Sequence, residues 1–150
     1  MKEKVYLMCL LLLAYSCLTA QAAGWNWAVS AGSDLTDRGW AVDRDAQGNV
    51  YICGEFRGSA NFGSNTLNSL GGADIFVAKL DAEGNWLWVS QAGGNMNDIA
   101  YDVAVDTSGN VLVTGLYRNG AVFGNTTLSS TGSYTNIFVA KLDANGNWLW

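Results

Sequence analysis

The chain has 150 residues, with 18 glycines, seven tryptophans, no proline, no histidine and 14% charged residues, and it carries a net charge of −5. This composition excludes a disordered or coiled-coil chain, and the missing imidazole excludes Ser-His-Asp or Cys-His catalysis and His-ligated zinc. Loss of Lys2, Glu3 and Lys4 with an N-terminal signal would take the charge to −6, which argues against nucleic acid as a partner.

The first element in chain order is that signal. Two lysines precede an almost wholly apolar run over 5–18, and Ala20-Gln21-Ala22 supplies small residues at −3 and −1, so cleavage is expected after Ala22. The run is shorter than the ~20 residues of a spanning helix, so no stable membrane span is expected. A retained anchor and a lipid-modified Cys17 are the alternatives, and Tyr15 is bulky where a lipobox has a small residue. Cleavage leaves Cys53 as the one cysteine, with no disulfide partner and no base to activate it.

The remainder is a tandem repeat. Copy one (25–85) aligns with copy two (86–147), and residues 148–150 start a third; about 29 of 61 aligned positions are identical. Trp25 and Trp27 fall on Trp86 and Trp88, and again on Trp148 and Trp150. Short β-branched and aromatic runs predict four strands in the first unit, over 40–44, 50–56, 75–80 and 86–90. Their hairpins share the pattern D-x-x-G-N, starting at Asp45, Asp81, Asp106 and Asp143. The Asp carboxylate can accept the amide two residues on, while Gly takes the positive φ of a bulged type I turn. Both faces of the strands are apolar, as in Ile137 and Val139 against Phe138 and Leu142. Tandem four-stranded antiparallel sheets with both faces buried predict an all-β chain of β-propeller blades, about two of them in an incomplete ring.

The stretch 101–115, with Ala104-Val105-Asp106 and Gly109-Asn110-Val111, resembles the A-V-D-x-x-G-N-V-Y-V-T-G core of the bacterial beta-propeller repeat family, SBBP. The likeness continues through Asp74 to Asp81 and covers nearly all of 25–150. The resemblance implies a secreted or cell-surface propeller, commonly seven-bladed, within a large bacterial extracellular protein. Arg44 and Cys53 depart from the family's Val and Thr, and Thr135-Asn136 departs before Ile137.

Each conspicuous side chain has two readings. Trp25, Trp27, Trp86 and Trp88 can fill the space between blades or act as platforms for sugar rings. Asp34, Asp37 and Asp98 read as solvated residues of the connections between blades, or as an acid and base for glycoside hydrolysis. Asp43, Asp45 and Gln47, followed by Gly48, imitate the opening of a calcium loop, but position 12 is Gly54 instead of a bidentate Glu, and copy two has Ala104 at the first position. A hairpin turn accounts for Asp45 and Gly48 without calcium, and no other cofactor is indicated. The function expected is a non-catalytic extracellular scaffold or protein-interaction surface, with a carbohydrate-binding propeller as the alternative and a carboxylate-dependent hydrolase as the third. Since a ring takes four to eight blades, the chain is expected to be a piece of a longer protein, with Trp148 and Trp150 exposed. Its partners are then further blades of the same chain, an unknown protein or a glycan, or further copies if it is complete.

Overall fold

The computed structural model describes residues 26–130 and 134–150. The expected signal, its cleavage site, Cys9, Cys17 and Trp25 lie outside the described residues. Twelve strands follow in chain order, and their ranges show how short apolar runs alternate with Gly-containing turns. They are β1 (Ala31–Gly32), β2 (Arg38–Arg44), β3 (Val50–Phe56), β4 (Ser59–Phe62), β5 (Asn65–Asn68) and β6 (Asp74–Leu80). They continue as β7 (Trp86–Ala92), β8 (Ile99–Val105), β9 (Val111–Arg118), β10 (Ala121–Phe123), β11 (Thr126–Leu128) and β12 (Thr135–Leu142). All the pairings are antiparallel. The chain is an all-β array of propeller blades, as its composition and repeat predict.

Blade one is the four-stranded sheet β2-β3-β6-β7, and blade two is β8-β9-β12. The fourth position of blade two holds only residues 148–150: Trp148 bridges Leu142, and Lys141 exchanges two backbone hydrogen bonds of 2.8 Å with Leu149 and Trp150. The D-x-x-G-N hairpins set this order. In each, the Asp Oδ1 accepts the amides two and four residues on, and Oδ2 accepts the Asn side chain; at Asp106 these bonds are 2.9, 2.9 and 2.8 Å. The turn glycines Gly48, Gly84, Gly109 and Gly146 all have φ between +79° and +88°.

Residues 26–30 carry no strand pairing, and Ala31 and Gly32 pair with β4. Two expectations are corrected. Four strands per unit omits the ribbons β4-β5 and β10-β11, short polar stretches that lay Phe62 and Phe123 over the sheets. Trp150 is exposed, but Trp148 is half-buried, its ring 5.1 Å from Phe123 and its indole N–H donated to the Gln91 carbonyl at 2.9 Å.

Two apolar clusters result. The larger joins the blades through Tyr51, Cys53, Ile75 and Val77 of blade one and Val103, Val113, Phe138 and Ala140 of blade two. The smaller lies on the other face of blade one, where Phe56, Phe76 and Ala78 pack beneath Phe62 and Trp86. Both faces of β6 are thus buried, whereas β12 and β9 bury alternate residues only, so the expectation of two buried faces fails for blade two. Among the described residues no second sheet covers its outer side.

Where β2 meets β3, and β8 meets β9, the register slips between Gly39 and Ala41 and between Ala100 and Asp102. Gly54 and Gly115 face those bulges, and a Cβ there would run into the carbonyl oxygen of Arg38 or Ile99. Because the obstacle is backbone, Gly115→Ala is expected to destabilise by about 2–4 kcal/mol, read as a lower midpoint in urea unfolding. Gly120→Ala, where φ is +91° but the nearest atom is at 3.4 Å, should cost less.

Candidate functional site

The blade junction is where the described chain fits the apolar faces of two sheets of its blades together. Tyr51 enters it from β3, a strand whose alternate residues point toward blade two, and donates its hydroxyl hydrogen to Asp45 at 3.1 Å. Burial, then the hydrogen bond and charge of Asp45, push its pKa upward. Cys53 sits beside it, fully buried, and burial raises its thiol to about 12, so it is an inert core group at neutral pH. Trp88 closes the seam, with its ring 6.2 Å from Tyr51 and its indole N–H on the Ala144 carbonyl at 3.1 Å. Trp27 makes the same bond one repeat earlier, to Ala82 at 2.9 Å.

The same surfaces recur unpaired. Leu112, Thr114, Ile137 and Val139 occupy the repeat positions of Tyr51, Cys53, Ile75 and Val77, and all four are exposed. Ile75 and Val77 are 0% accessible; Ile137 and Val139 are 79% and 58% accessible. On the opposite side of blade one lies a groove of about 260 Å³ whose lining includes Trp27, Val29, Val42, Ile52, Phe76 and Trp86. Five of these align with Trp88, Val103, Val113, Phe138 and Trp148, which belong to or pack against the apolar cluster of the junction.

The residues singled out from sequence fall as follows. Asp45 accepts the amides of Gln47 and Asn49, the Asn49 side chain and the Tyr51 hydroxyl. Burial raises its pKa, but these bonds more than offset it and the net shift is downward. Asp43 accepts the Arg44 amide at 2.8 Å and, across the junction, the Val105 amide at 2.8 Å. These residues build a turn and a seam, and no group of three or more potential metal ligands exists among the described residues. Trp27 and Trp86 line the groove, while Trp88 is in the junction and Trp25 lies outside the described residues.

Asp34 is exposed, but the reading of Asp37 and Asp98 as solvated is wrong. Asp37 is half-buried and accepts the Arg57 amide at 2.9 Å and the Ser33 amide and hydroxyl at 2.6 and 2.9 Å. Asp98, its repeat equivalent, is fully buried and accepts the Arg118 amide at 2.9 Å. Copy two has Gly94 in place of Ser33, so the hydroxyl is lost, and Asp98 Oδ2 has no close hydrogen bond, the Gly94 amide acting on this carboxyl only weakly. Both carboxylates anchor the strand end that follows the sheet, a role legible only in their shared repeat position.

Sequence reasoning missed Asp74 and Glu55. Glu55 is buried and paired with Arg38 at 2.6 Å. Asp74 is fully buried, bonded through Oδ2 to the Leu70 amide and the Gln91 side chain, with Oδ1 unpartnered against Gly93. It is adjacent to Asp98, whose amide donates to the Ala73 carbonyl at 2.7 Å. The only signal was the replacement of Asp74 by Asn136 in copy two, one of the departures noted above.

With this geometry in view, residues 87–116 match the family model described as beta-propeller repeat, SBBP. That stretch runs from β7 of blade one to β9 of blade two. The match covers one repeat of this β-propeller type. A WD repeat-containing protein of Acanthamoeba polyphaga mimivirus is 28% identical over 114 residues, which cover 64% of this chain and 8% of that relative. The chain therefore spans a small part of the length of the curated relative it matches.

Burial, opposed in part by the amides of Arg118 and Gly94 and aided by the Asp74 charge, pushes Asp98 up to about 6, and burial raises Asp74 as well. A carboxyl that holds its proton more tightly when folded contributes stability that is complete below about pH 4 and is lost as pH rises through about 6. The chain is thus expected to be more stable at pH 4.5 than at pH 7.5, by roughly 1–2 kcal/mol. Asp98→Asn, which removes the group pushed up to about 6, should raise stability at pH 7.5 relative to pH 4.5 and flatten this dependence. Urea melts of both proteins at the two pH values would show it, and a parallel pH response in the variant would refute the assignment.

Proposed function

We propose that this chain is a non-catalytic extracellular propeller-repeat scaffold that engages protein through the open faces of its blades. The observation that carries this reading is the fit at the junction, where the same apolar positions that lie open on blade two are covered on blade one by a protein surface. The N-terminal segment 1–22 supports export, with cleavage after Ala22. Asp37 and Asp98 support a structural role, because both spend an oxygen on a backbone amide at a strand end. Among the described residues no helix is long and apolar enough to cross a membrane.

Carbohydrate binding is the second reading, favoured by one observation: Trp27 and Trp86 both line the apolar groove. Against it, the equivalent positions of blade two are filled by Tyr51, Cys53, Ile75 and Val77 of blade one, a protein surface.

Three measurements test these readings. Expression in an exporting host is expected to give a mature protein whose N-terminal residue is Ala23. A panel of glycosidase and esterase substrates is expected to show no turnover above buffer. Millimolar sugars of several classes are expected to leave tryptophan fluorescence unchanged. Turnover lost in Asp98→Asn would establish the hydrolase instead, and a saturable fluorescence change lost in Trp27→Ala would establish the glycan site.

A further inference from the structure

We infer that the blade end opposite the D-x-x-G-N turns binds an acidic peptide segment of a partner protein, whose carboxylates are received by Arg57 and Arg118. The inference rests on the chain being a protein-binding scaffold, as proposed above, and adds a second surface together with the chemistry of what it binds.

The strand order gives the blades two unlike ends. The turns led by Asp45, Asp81, Asp106 and Asp143 follow β2, β6, β8 and β12, which run the same way within each sheet. Asp43 accepts the Val105 amide across the junction, so the two blades share their turn end. Segments 57–58, 69–73, 93–98 and 118–120 therefore make up the other end.

Charges are placed oppositely at the two ends. At the turn end both lysines sit beside carboxylates, Lys79 Nζ 3.9 Å from Asp45 and Lys141 Nζ 3.8 Å from Asp106. At the loop end Asp37 and Asp98 turn inward, where each accepts a backbone amide at 2.9 Å, from Arg57 and from Arg118. The guanidinium groups of these same arginines reach neutral oxygens: Arg57 Nη2 donates to Asn97 Oδ1 at 3.4 Å and Arg118 Nη2 to Thr135 Oγ1 at 3.1 Å, both at the surface. Among the described residues neither arginine forms a salt bridge. Of the other charged groups there, Arg38 is paired with the buried Glu55, and Asp34 is exposed. Arginine is scarce, with four in the chain, and two of them occupy this one repeat position.

The surface between the two arginines is continuous across the internal junction. Asn97 Oδ1 takes the Ala73 amide at 3.0 Å as well as the Arg57 guanidinium, which ties blade one to the loop entering blade two. Asn119, next to Arg118, donates to Asn95 Oδ1 at 3.4 Å. Met96 stands between Asn95 and Asn97 and is 37% accessible; Leu70 is 66% accessible. Their loops are packed together, since a Cβ on Gly71 would run into the Asn95 backbone. Arg57, Leu70 and Met96 have both blades beside them, so their exposure belongs to this end and not to the outer blade faces.

A peptide carboxylate suits such a surface. The guanidinium fork offers parallel N–H donors to a carboxylate, and exchanging a neutral Asn or Thr oxygen for a charged one gains a charge-assisted bond. Leu70 and Met96 add apolar contact, and a methionine adapts to side chains of varied shape. An anionic membrane fits less well, because two basic groups are few and the net charge of −5 opposes it.

The test applies the full chain to an array of short peptides that vary in Asp, Glu, Lys, Gln, Leu and Tyr content. Peptides combining acidic and apolar residues are expected to be retained. By fluorescence anisotropy, affinity for the best of them should fall at least about tenfold in Arg57→Gln and in Arg118→Gln, and should weaken as NaCl rises from about 50 to about 300 mM. Arg44→Gln, at the turn end, should leave it unchanged. Both guanidinium contacts lie at the surface, so the circular dichroism melts of the variants should match that of the unmodified chain. No retained peptide, a preference for basic or neutral peptides, or acidic peptides held equally by the double variant would each overturn the inference. Vesicles of phosphatidylserine and phosphatidylcholine serve as the second probe: arginine-dependent binding to them without peptide binding assigns this end to a membrane and overturns it too. Failure on the array leaves the scaffold reading, which rests on the apolar fit at the junction, in place. Turnover or sugar binding in the panels above would end that reading without changing the peptide result.

Discussion

The structure depends on one requirement: a sheet with two apolar faces must have a neighbour on each. Apolar surface kept in water costs roughly 25 cal/mol per Å², and a β-strand presents alternate residues to opposite sides, so no single layer can satisfy both. Blade one meets the requirement by two different means. Blade two covers Tyr51, Cys53, Ile75 and Val77, while the β4-β5 ribbon, with Phe62 at its centre, covers Phe56 and Phe76. The ribbon is small, so part of that second face remains as a groove, and among the described residues the outer face of blade two remains open. The open surfaces follow from the same stacking rule as the closed one.

Carboxylates serve this stacking in two distinct ways. At the hairpins, Asp81, Asp106 and Asp143 lie at the surface, and hydrogen bonds from Asn85, Asn110 and Asn147 hold them below the ordinary carboxylate range. These turns need the charged form. At the junction the order of effects reverses: Asp74 and Asp98 are buried, each leaves one oxygen unbonded, and desolvation dominates. A chain without histidine thus still places a group that titrates near pH 6 between its two blades. Asp37 Oδ2 takes both the amide and the hydroxyl of Ser33, and the junction around Asp98, with Gly94 at that position, lacks the hydroxyl and has no close bond to the second oxygen.

The tryptophans act as ties along the stack. Trp27 and Trp88 each belong by position to one blade and hydrogen-bond the hairpin of the next, so the link between blades is covalent, apolar and polar at once. The indole of each lies over the turn glycine of that hairpin, Gly84 or Gly146, where a Cβ would collide with the ring. The turn glycine therefore serves both the backbone conformation and the neighbouring blade. This dual use explains why the D-x-x-G-N pattern and the Trp-x-Trp pattern recur together.

The turns, the strands β2, β3, β6 and β7, and the blade architecture were legible in the sequence, because each rests on local chemistry repeated at a fixed period. An Asp bonded to the amides just after it and a Gly with positive φ need no distant partner. The two ribbons were not legible: Asn65, Thr66, Leu67 and Asn68 form a strand only because β4 lies beside them. The fates of Asp74 and Asp98 were not legible either, since what decides them is burial between blades. The clearest case is the octapeptide shared by 75–82 and 137–144. Its sequence determined that both copies would be strands with apolar residues on each side and an Asp-led turn at the end. Only the tertiary structure decided that Ile75 would be fully buried and Ile137 would lie 79% open, because burial belongs to the neighbouring sheet, and identical residues meet different neighbours.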